Sequence, residues 1–461
     1  MTDWTPKPND SGKPHYLAIA DAIGADIAAG RLKAGDRLPP QRRLAAALGI
    51  DFTTVSRAYT EAQARGLVTS HVGRGSFVSD PPAALPAAPL ADPARRAAED
   101  LSMNMPPEPT DPDLLAGMQA GLMAVSGQLV DLLRYQSPIG TEPDRLAARS
   151  WLAPRGLDVA LERIAVTPGA HATMAAVLSM LCKAGDHVLC EQVTYPGIRN
   201  IAARFGVTLV GLQTDARGVV PEALQAAIRR HRPKALYLNP TLHNPTTLTL
   251  PAERRAALAA ILRAEGLALI EDDAYGFVPA EAPAPLAQQI PELTWYIGGL
   301  SKCLGAGLRL AFTVTPDARA THRLTQAIRA LSVMPAPLSL ALTTRWIEQG
   351  TAEALRQALR NETAARQAIA RRALEGCDYA TATSAFHIWL QLPQGLGLGR
   401  ADVIARMAGQ PLGLMPSDAF TVGAVPQDRL RVSLGGSISR AQLQTALCHL
   451  GHALSAQGYM G

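Results

Sequence analysis

The stretch SDPPAALPAAPLADPARRAAED, residues 79–100, carries five prolines and eight alanines and shows no helical or strand period. Proline removes a backbone donor and fixes φ, so neither a helix nor a central strand runs through such a segment. A chain interrupted in this way folds as separate modules joined by a stiff, extended linker. At about 3.1 Å per residue in polyproline II, the linker reaches roughly 60 Å when drawn out. The length of 461 residues agrees, being too great for one core. We therefore expect one module over residues 1–79, a linker over 80–100 and a second module over 101–461.

Composition narrows the classes of function. Hydrophobic residues make up 48% and charged residues 18%, the balance of a soluble globular protein. The opening MTDWTPKPNDSGK lacks the apolar centre of a signal peptide, and no run approaches the roughly 20 apolar residues of a membrane span. A cytoplasmic protein with no membrane partner is the expectation. Cys182, Cys190, Cys303, Cys377 and Cys448 form no C-x-x-C pair, so free thiols are expected, with neither a disulfide framework nor a metal site. A net charge of +5 neither requires nor opposes a nucleic-acid partner.

In the first module HYLAIADAIGADIAAG places apolar residues at helical spacing and stops at Gly30. LPPQRRLAAALG predicts a second, short helix opened by Pro40, and DFTTVSRAYTEAQARG a third, with Asp51 as N-cap and Gly66 as stop. LGIDF between them has the length of a helix-turn-helix joint. LVTSHVGRGSFVSD then predicts two short strands about VGRG, a wing.

The pieces LPPQRRLAAALGI, TTVSRAY and GLVTSHVGRGSFV, in that order, resemble the winged helix of GntR-type bacterial regulators over residues 12–79. The resemblance implies a double-stranded DNA operator as partner. Arg42 would meet backbone phosphate, Thr53, Thr54 and Ser56 would lie at the N-terminal end of the recognition helix, and His71, Gly73 and Arg74 would reach the adjacent minor groove. Hydroxyls at a helix N-terminus can donate to phosphates and base edges, and a glycine-flanked arginine can enter a narrow groove. Phe52 and Ser56 stand where these regulators often carry arginine, and Arg57 is an added candidate for a phosphate contact. Charge alone does not select this reading. Ten Lys/Arg less eight Asp/Glu over residues 1–80 leaves only +2, which a winged helix used for protein contacts would also tolerate.

In the second module short apolar runs alternate with alanine-rich helical patterns: RIAVT, AHATMAAVLSMLC, HVLCE, VTLVGL, PEALQAAIRRH, KALYLN, PAERRAALAAILRA, LALIEDD, TWYIGGL, RLAFTVT. Such alternation predicts an α/β fold with a mostly parallel sheet covered by helices on both faces. From about residue 317 the pattern is mostly helical and then yields FHIWLQL and RLRVSLG as strands, a small α+β lobe.

Within this pattern GGLSKCLGAGLRLAF, residues 298–312, sets one lysine, Lys302, among small residues just past an apolar strand. A lysine so placed can anchor an aldehyde, and pyridoxal 5'-phosphate is the aldehyde cofactor whose other needs can be checked. It requires a phosphate cradle, a carboxylate for the pyridine nitrogen and groups for the ring oxygen and face. VTPGAHATM puts Gly169, Ala170 and His171 at a strand-to-helix turn, where backbone N–H groups favour phosphate. LALIEDDAYGF puts Asp272 at a strand end and Tyr275 three residues on; Arg309 and Ser301 supply phosphate partners. Each residue alone also fits a plainer role: surface lysine, solvated acidic turn, core tyrosine. Their combination points to the site. Competing signatures, G-x-x-x-x-G-K-[ST], G-x-S-x-G and H-E-x-x-H, are absent from the sequence.

In order and spacing these pieces resemble the fold-type I aminotransferases over about residues 101–461. The resemblance implies that Lys302 binds the cofactor covalently, Asp272 pairs with the pyridine nitrogen, Asn244 of HNPTT and Tyr275 bind the ring oxygen, Tyr195 of EQVTYPG stacks on the ring, and Arg431 of LRVSLGG takes a substrate carboxylate. Gly299 replaces a frequent phosphate-binding serine, HNPTT lacks the usual glycine and Ala306 replaces a frequent proline, yet no group that the cofactor needs is lost. A winged helix, a proline-rich linker and an aminotransferase-like module together resemble the MocR subfamily of GntR regulators. This implies a cytoplasmic, head-to-tail homodimer that binds DNA and senses a small amine or amino acid, or pyridoxal phosphate itself, at Lys302. The alternative is a working aminotransferase with a DNA-binding appendage.

Overall fold

The computed structural model describes residues 4–6, 14–71, 75–79, 103–394, 397–423 and 427–455. The chain divides into two units, Met1–Ala98 and Glu99–Gly461.

In the first unit, α1 (His15–Ala28), α2 (Gln41–Leu48) and α3 (Phe52–Ala64) precede the strands β1 (Val68–His71) and β2 (Gly75–Val78). Pro40 and Gly49, the latter left-handed, bound α2, so the chain turns at once into α3. Asp51 caps α3 by accepting from the Thr53 N–H at 2.7 Å. α1 ends two residues before Gly30, which takes φ +70° just beyond the Ala29 cap. β1 and β2 pair antiparallel with Val68 opposite Val78, as the wing pattern predicts. Ile19, Ile23, Leu32, Leu38, Leu44, Val55, Tyr59, Val68 and Val78 close one core, and the Tyr59 hydroxyl is satisfied by the Pro39 carbonyl at 2.8 Å.

The second unit begins with α4 (Pro112–Ser126), the short α5 (Leu129–Leu132) and α6 (Glu142–Leu152). There follow β3 (Ile164–Thr167), α7 (Ala170–Leu181), β4 (His187–Glu191), α8 (Pro196–Arg204), β5 (Thr208–Leu212), the hairpin β6 (Thr214–Asp215) and β7 (Gly218–Val219), α9 (Pro221–His231), β8 (Ala235–Leu238), α10 (Ala252–Glu265) and β9 (Ala268–Asp272). A single turn α11 (Leu286–Gln289) leads to β10 (Thr294–Gly299) and β11 (Ala311–Val314). Seven strands form one sheet in the order β3-β11-β10-β9-β8-β4-β5, parallel except for β11, which runs against both neighbours. β3, β8, β10 and β11 are buried at every position because helices cover both faces. Alternation splits β3 between two cores: Ile164 and Val166 pack on the side of Trp151 and Phe277, Ala165 on the side of Met174 and Ile198.

The helices α12 (Ala318–Ser332), α13 (Pro337–Glu348) and α14 (Thr351–Ala373) lead into the small lobe. There β12 (Tyr379–Ala380), β13 (His387–Gln391), α15 (Arg400–Arg406), β14 (Leu414–Pro416), β15 (Arg429–Ser433) and α16 (Arg440–Leu454) build an antiparallel sheet ordered β12-β13-β15-β14. Ile388, Leu390, Leu430 and Val432 pack under α14 and α16. The alternate residues His387 and Arg431 therefore point to the opposite face. Among the described residues no helix is long and apolar enough to cross a membrane.

Candidate functional site

Crossovers between parallel strands leave a crevice beyond the strands' carboxyl ends. Here that crevice gathers the predicted residues. One cavity is lined by Ala170, His171, Tyr195, Asn244, Asp272, Tyr275, Ser301, Lys302 and Arg309, brought together from the ends of β3, β4, β8, β9 and β10. Gly169 caps α7 beside it with φ +89°, a conformation that favours glycine, and a Cβ there would meet the Arg309 backbone at 3.4 Å. Gly299 lines the same cavity. At the start of α7 the first backbone N–H groups have no partner within the helix, which suits an anion.

The run Glu271-Asp272-Asp273 is fully inside rather than a solvated turn. Glu271 accepts from the Leu286 and Ala287 N–H groups, both at 2.8 Å. Asp273 takes the Arg155 guanidinium at 2.9 Å and the Tyr296 hydroxyl at 2.9 Å. Asp272 faces the cavity: its Oδ2 accepts from Tyr237 Oη at 2.7 Å, and its Oδ1, though buried, has no hydrogen-bond partner among the described residues. Burial holds its carboxyl up at about 6, with Tyr237 and Lys302 pulling the other way. A buried, unpaired carboxylate oxygen is costly and calls for a cationic donor. A protonated pyridine nitrogen meets that need.

Lys302 follows β10, and its Nζ donates to the Asn104 carbonyl at 2.6 Å. Burial, then the positive charge of Arg431, lowers its ammonium to about 8. Asn244 donates its backbone N–H to Asn239 Oδ1 at 2.9 Å, and its own Oδ1 accepts from Arg431 Nη1 at 3.2 Å. Arg431 is buried and lies 5.3 Å over the Phe420 ring. His171 is lowered by burial and by the Arg309 charge, so it is largely neutral above its ordinary value. A buried carboxylate with an open oxygen, a lysine, a tyrosine hydroxyl and the start of a helix thus share one cavity, and this donor set fits pyridoxal phosphate.

Sequence reasoning missed several members. Tyr237, inside the apolar run KALYLN, orients Asp272, and Asn239 ties Asp272 to Asn244 by donating to the Asp272 carbonyl at 2.7 Å. Asn104 donates to Tyr275 Oη at 2.9 Å and lies 3.0 Å from His387 Nδ1. With Met103 and Met105 on the cavity wall and Gly436 donating to the Pro106 carbonyl, residues 103–107 form a strap between the cavity and the small lobe. The alternation of Tyr237, Leu238 and Asn239 across the end of β8 was the available signal for Asn239; nothing local marks Asn104.

In the first unit Arg42, Thr53 and Arg57 are exposed, while Thr54 and Ser56 are half-buried at the front of α3. Thr53 Oγ1 donates to Asp51 at 2.5 Å. The Arg57 guanidinium lies 4.3 Å over the Tyr16 ring, and that of Arg42 5.9 Å over Phe52. Gly73 and Arg74 lie outside the described residues, as does the side chain of His71.

Residues 100–450 match the family described as aminotransferase class I and II, and residues 15–78 that described as bacterial regulatory proteins, gntR family. The chain is 29% identical over 460 residues to the uncharacterized HTH-type transcriptional regulator YdeF of Bacillus subtilis, covering 96% of this chain and 95% of that protein. It is 30% identical to the vitamin B6 salvage pathway transcriptional repressor PtsJ of Salmonella typhimurium, over 65% of this chain and 67% of that one. The crystal structure of LysN, the α-aminoadipate aminotransferase of Thermus thermophilus, superposes with TM-score 0.68 at 25% identity, covering 77% of this chain and 91% of the other. The chain belongs to the aminotransferase class I and II family, with pyridoxal phosphate as its cofactor, and its GntR domain gives it the domain organisation of the MocR-type regulators.

Proposed function

We propose that the protein is a transcriptional regulator that binds operator DNA through its GntR domain and senses a small amine, an amino acid or pyridoxal phosphate itself at Lys302. The observation that carries the reading is the buried, open Oδ1 of Asp272 in the cavity that Lys302 lines, on a chain that also has a GntR domain. Bound pyridoxal phosphate supplies an aldehyde that exchanges amines and a ring that withdraws electrons. This chain's residues do the rest. With its ammonium lowered to about 8, Lys302 offers neutral amine at neutral pH in far larger proportion than an ordinary lysine. Asp272 holds the proton on the ring nitrogen; Asn244 and Tyr275 bind the ring oxygen; Tyr195 covers the ring face. Gly169, Ala170, His171, Ser301 and Arg309 cradle the phosphate, and Arg431 takes the effector carboxylate bidentately. On DNA, Arg42 and Arg57 meet phosphates, Thr53, Thr54 and Ser56 approach base edges, and His71, Gly73 and Arg74 serve the wing.

The strap suggests how the site speaks to the linker. Asn104 accepts from the free ammonium of Lys302, so engagement of that lysine takes the donor away from a segment that continues directly into residues 80–102. An effector shifts DNA affinity only if it binds two conformations unequally, and this contact differs between a free and an engaged lysine. A head-to-tail homodimer is part of the reading. Leu122, Met123, Val130, Leu133 and Tyr135 on and after α4 and α5 are exposed, an apolar face that a second copy would cover. The test is a gel shift with DNA from upstream of the protein's own gene. Retention that weakens as salt rises supports the reading; no shift at any salt sinks it, and steady turnover of an amino donor and keto acid would favour an enzyme instead.

A further inference from the structure

We infer that Phe52 is a base-reading residue that selects a thymine, through its C5-methyl group, in each operator half-site. The inference rests on the DNA-binding reading above. The N-terminal residues of a recognition helix are those that meet base edges in the major groove. In α3 the first five are Phe52, Thr53, Thr54, Val55 and Ser56. None carries the guanidinium, ammonium or amide that reads guanine or adenine bidentately. Val55 is spent in the core, and the Thr53 hydroxyl proton is committed to Asp51. Arg57, the first cation along α3, is laid over Tyr16 of α1.

What the front of the helix does present is an aromatic ring. Phe52 opens α3 at 42% exposure, outside the core formed by Val55, Ala58, Tyr59 and Ala62. Arg42, on α2, stands 5.9 Å over the ring, and from there its charge can face the phosphate backbone. An exposed phenyl edge in the major groove has one specific apolar partner on the bases, the thymine methyl. Burying one methyl against the ring corresponds to about fourfold in affinity per half-site.

The test uses the full-length protein and a pool of duplexes with a randomised core. The enriched duplex is then remade with deoxyuridine in place of each thymine in turn, which deletes only the methyl. Wild type should lose about fourfold at one thymine in each half-site. Phe52→Ala should bind the thymine and uracil duplexes alike, while still retaining unrelated duplex in a salt-dependent way, which shows it folded and basic. Phe52→Leu, which keeps an apolar contact, should retain part of the discrimination. Indifference of wild type to every thymine-to-uracil change, or undiminished discrimination by Phe52→Ala, overturns the inference. Failure of wild type to retain any duplex at low salt is a distinct result that removes the DNA-binding reading and this inference with it.

Discussion

Two titrating side chains make the site's chemistry measurable. Because burial and the Arg431 charge lower Lys302 to about 8, its rate of pyridoxal phosphate capture should rise about tenfold per pH unit up to roughly pH 8 and then level. An ordinary lysine would go on rising to about pH 10; stopped-flow absorbance separates the two profiles. Asp272 carries the opposite kind of information. Its folded value of about 6 lies above the roughly 3.9 of an unfolded chain, so its contribution to stability is full below about pH 4 and fades as pH rises through 6. Asp272→Asn, which cannot ionise, should therefore gain on cofactor-free wild type by roughly 3 kcal/mol between pH 4 and 7, read as a shift in urea midpoint. The same variant should bind pyridoxal phosphate at least a hundredfold more weakly, since the ring nitrogen loses its buried counter-charge. A pH-independent difference in midpoint would mean that burial does not raise the Asp272 carboxyl in the cofactor-free protein.

Elements place these groups, and they divide sharply by how far the sequence reveals them. The edges of α3 were legible because Asp51 and Gly66 act on their own neighbours, and Asp272 was legible because a strand of apolar residues ends on it. Tyr237 was not, since a tyrosine in ALYL reads equally as core; only the pairing of β8 with β9 brings its hydroxyl to the carboxylate. Tyr237→Phe should accordingly weaken cofactor binding by about five- to tenfold without changing the fold. Equilibrium dialysis and far-UV circular dichroism read the two quantities, and unaltered affinity would show that Asp272 needs no such support. The strap was also illegible, because its partners are 171 and 283 residues away in sequence. It rests against Gly435, where an added Cβ would collide with the Met105 carbonyl. Gly435→Ala should lift the strap, seen as faster proteolysis after residue 103 and a weaker effector response; an unchanged digestion pattern would show that the contact does not hold it down.

At the scale of the whole molecule, the proline-rich linker announces two modules before any residue role is assigned, and the family matches on either side of it lie over residues 15–78 and 100–450. The route proposed for communication between the modules is not a property of composition, because it rests on a single contact, that of Lys302 with the Asn104 carbonyl. The apolar face of α4 and α5 gives a further prediction at this scale: Leu133→Glu should shift sedimentation toward the monomer, and a monomeric wild type would remove the homodimer. Most direct of all is the affinity of the purified protein for its operator duplex, measured by fluorescence anisotropy with and without pyridoxal phosphate and with candidate amines added, in wild type and Lys302→Ala. The account predicts a change of about fivefold or more in wild type, in the range of ordinary allosteric coupling, and none in Lys302→Ala, which lacks the contact with Asn104 and should hold one DNA affinity whatever is added. An operator affinity that ignores cofactor and amine in wild type, or that responds equally in Lys302→Ala, would contradict it.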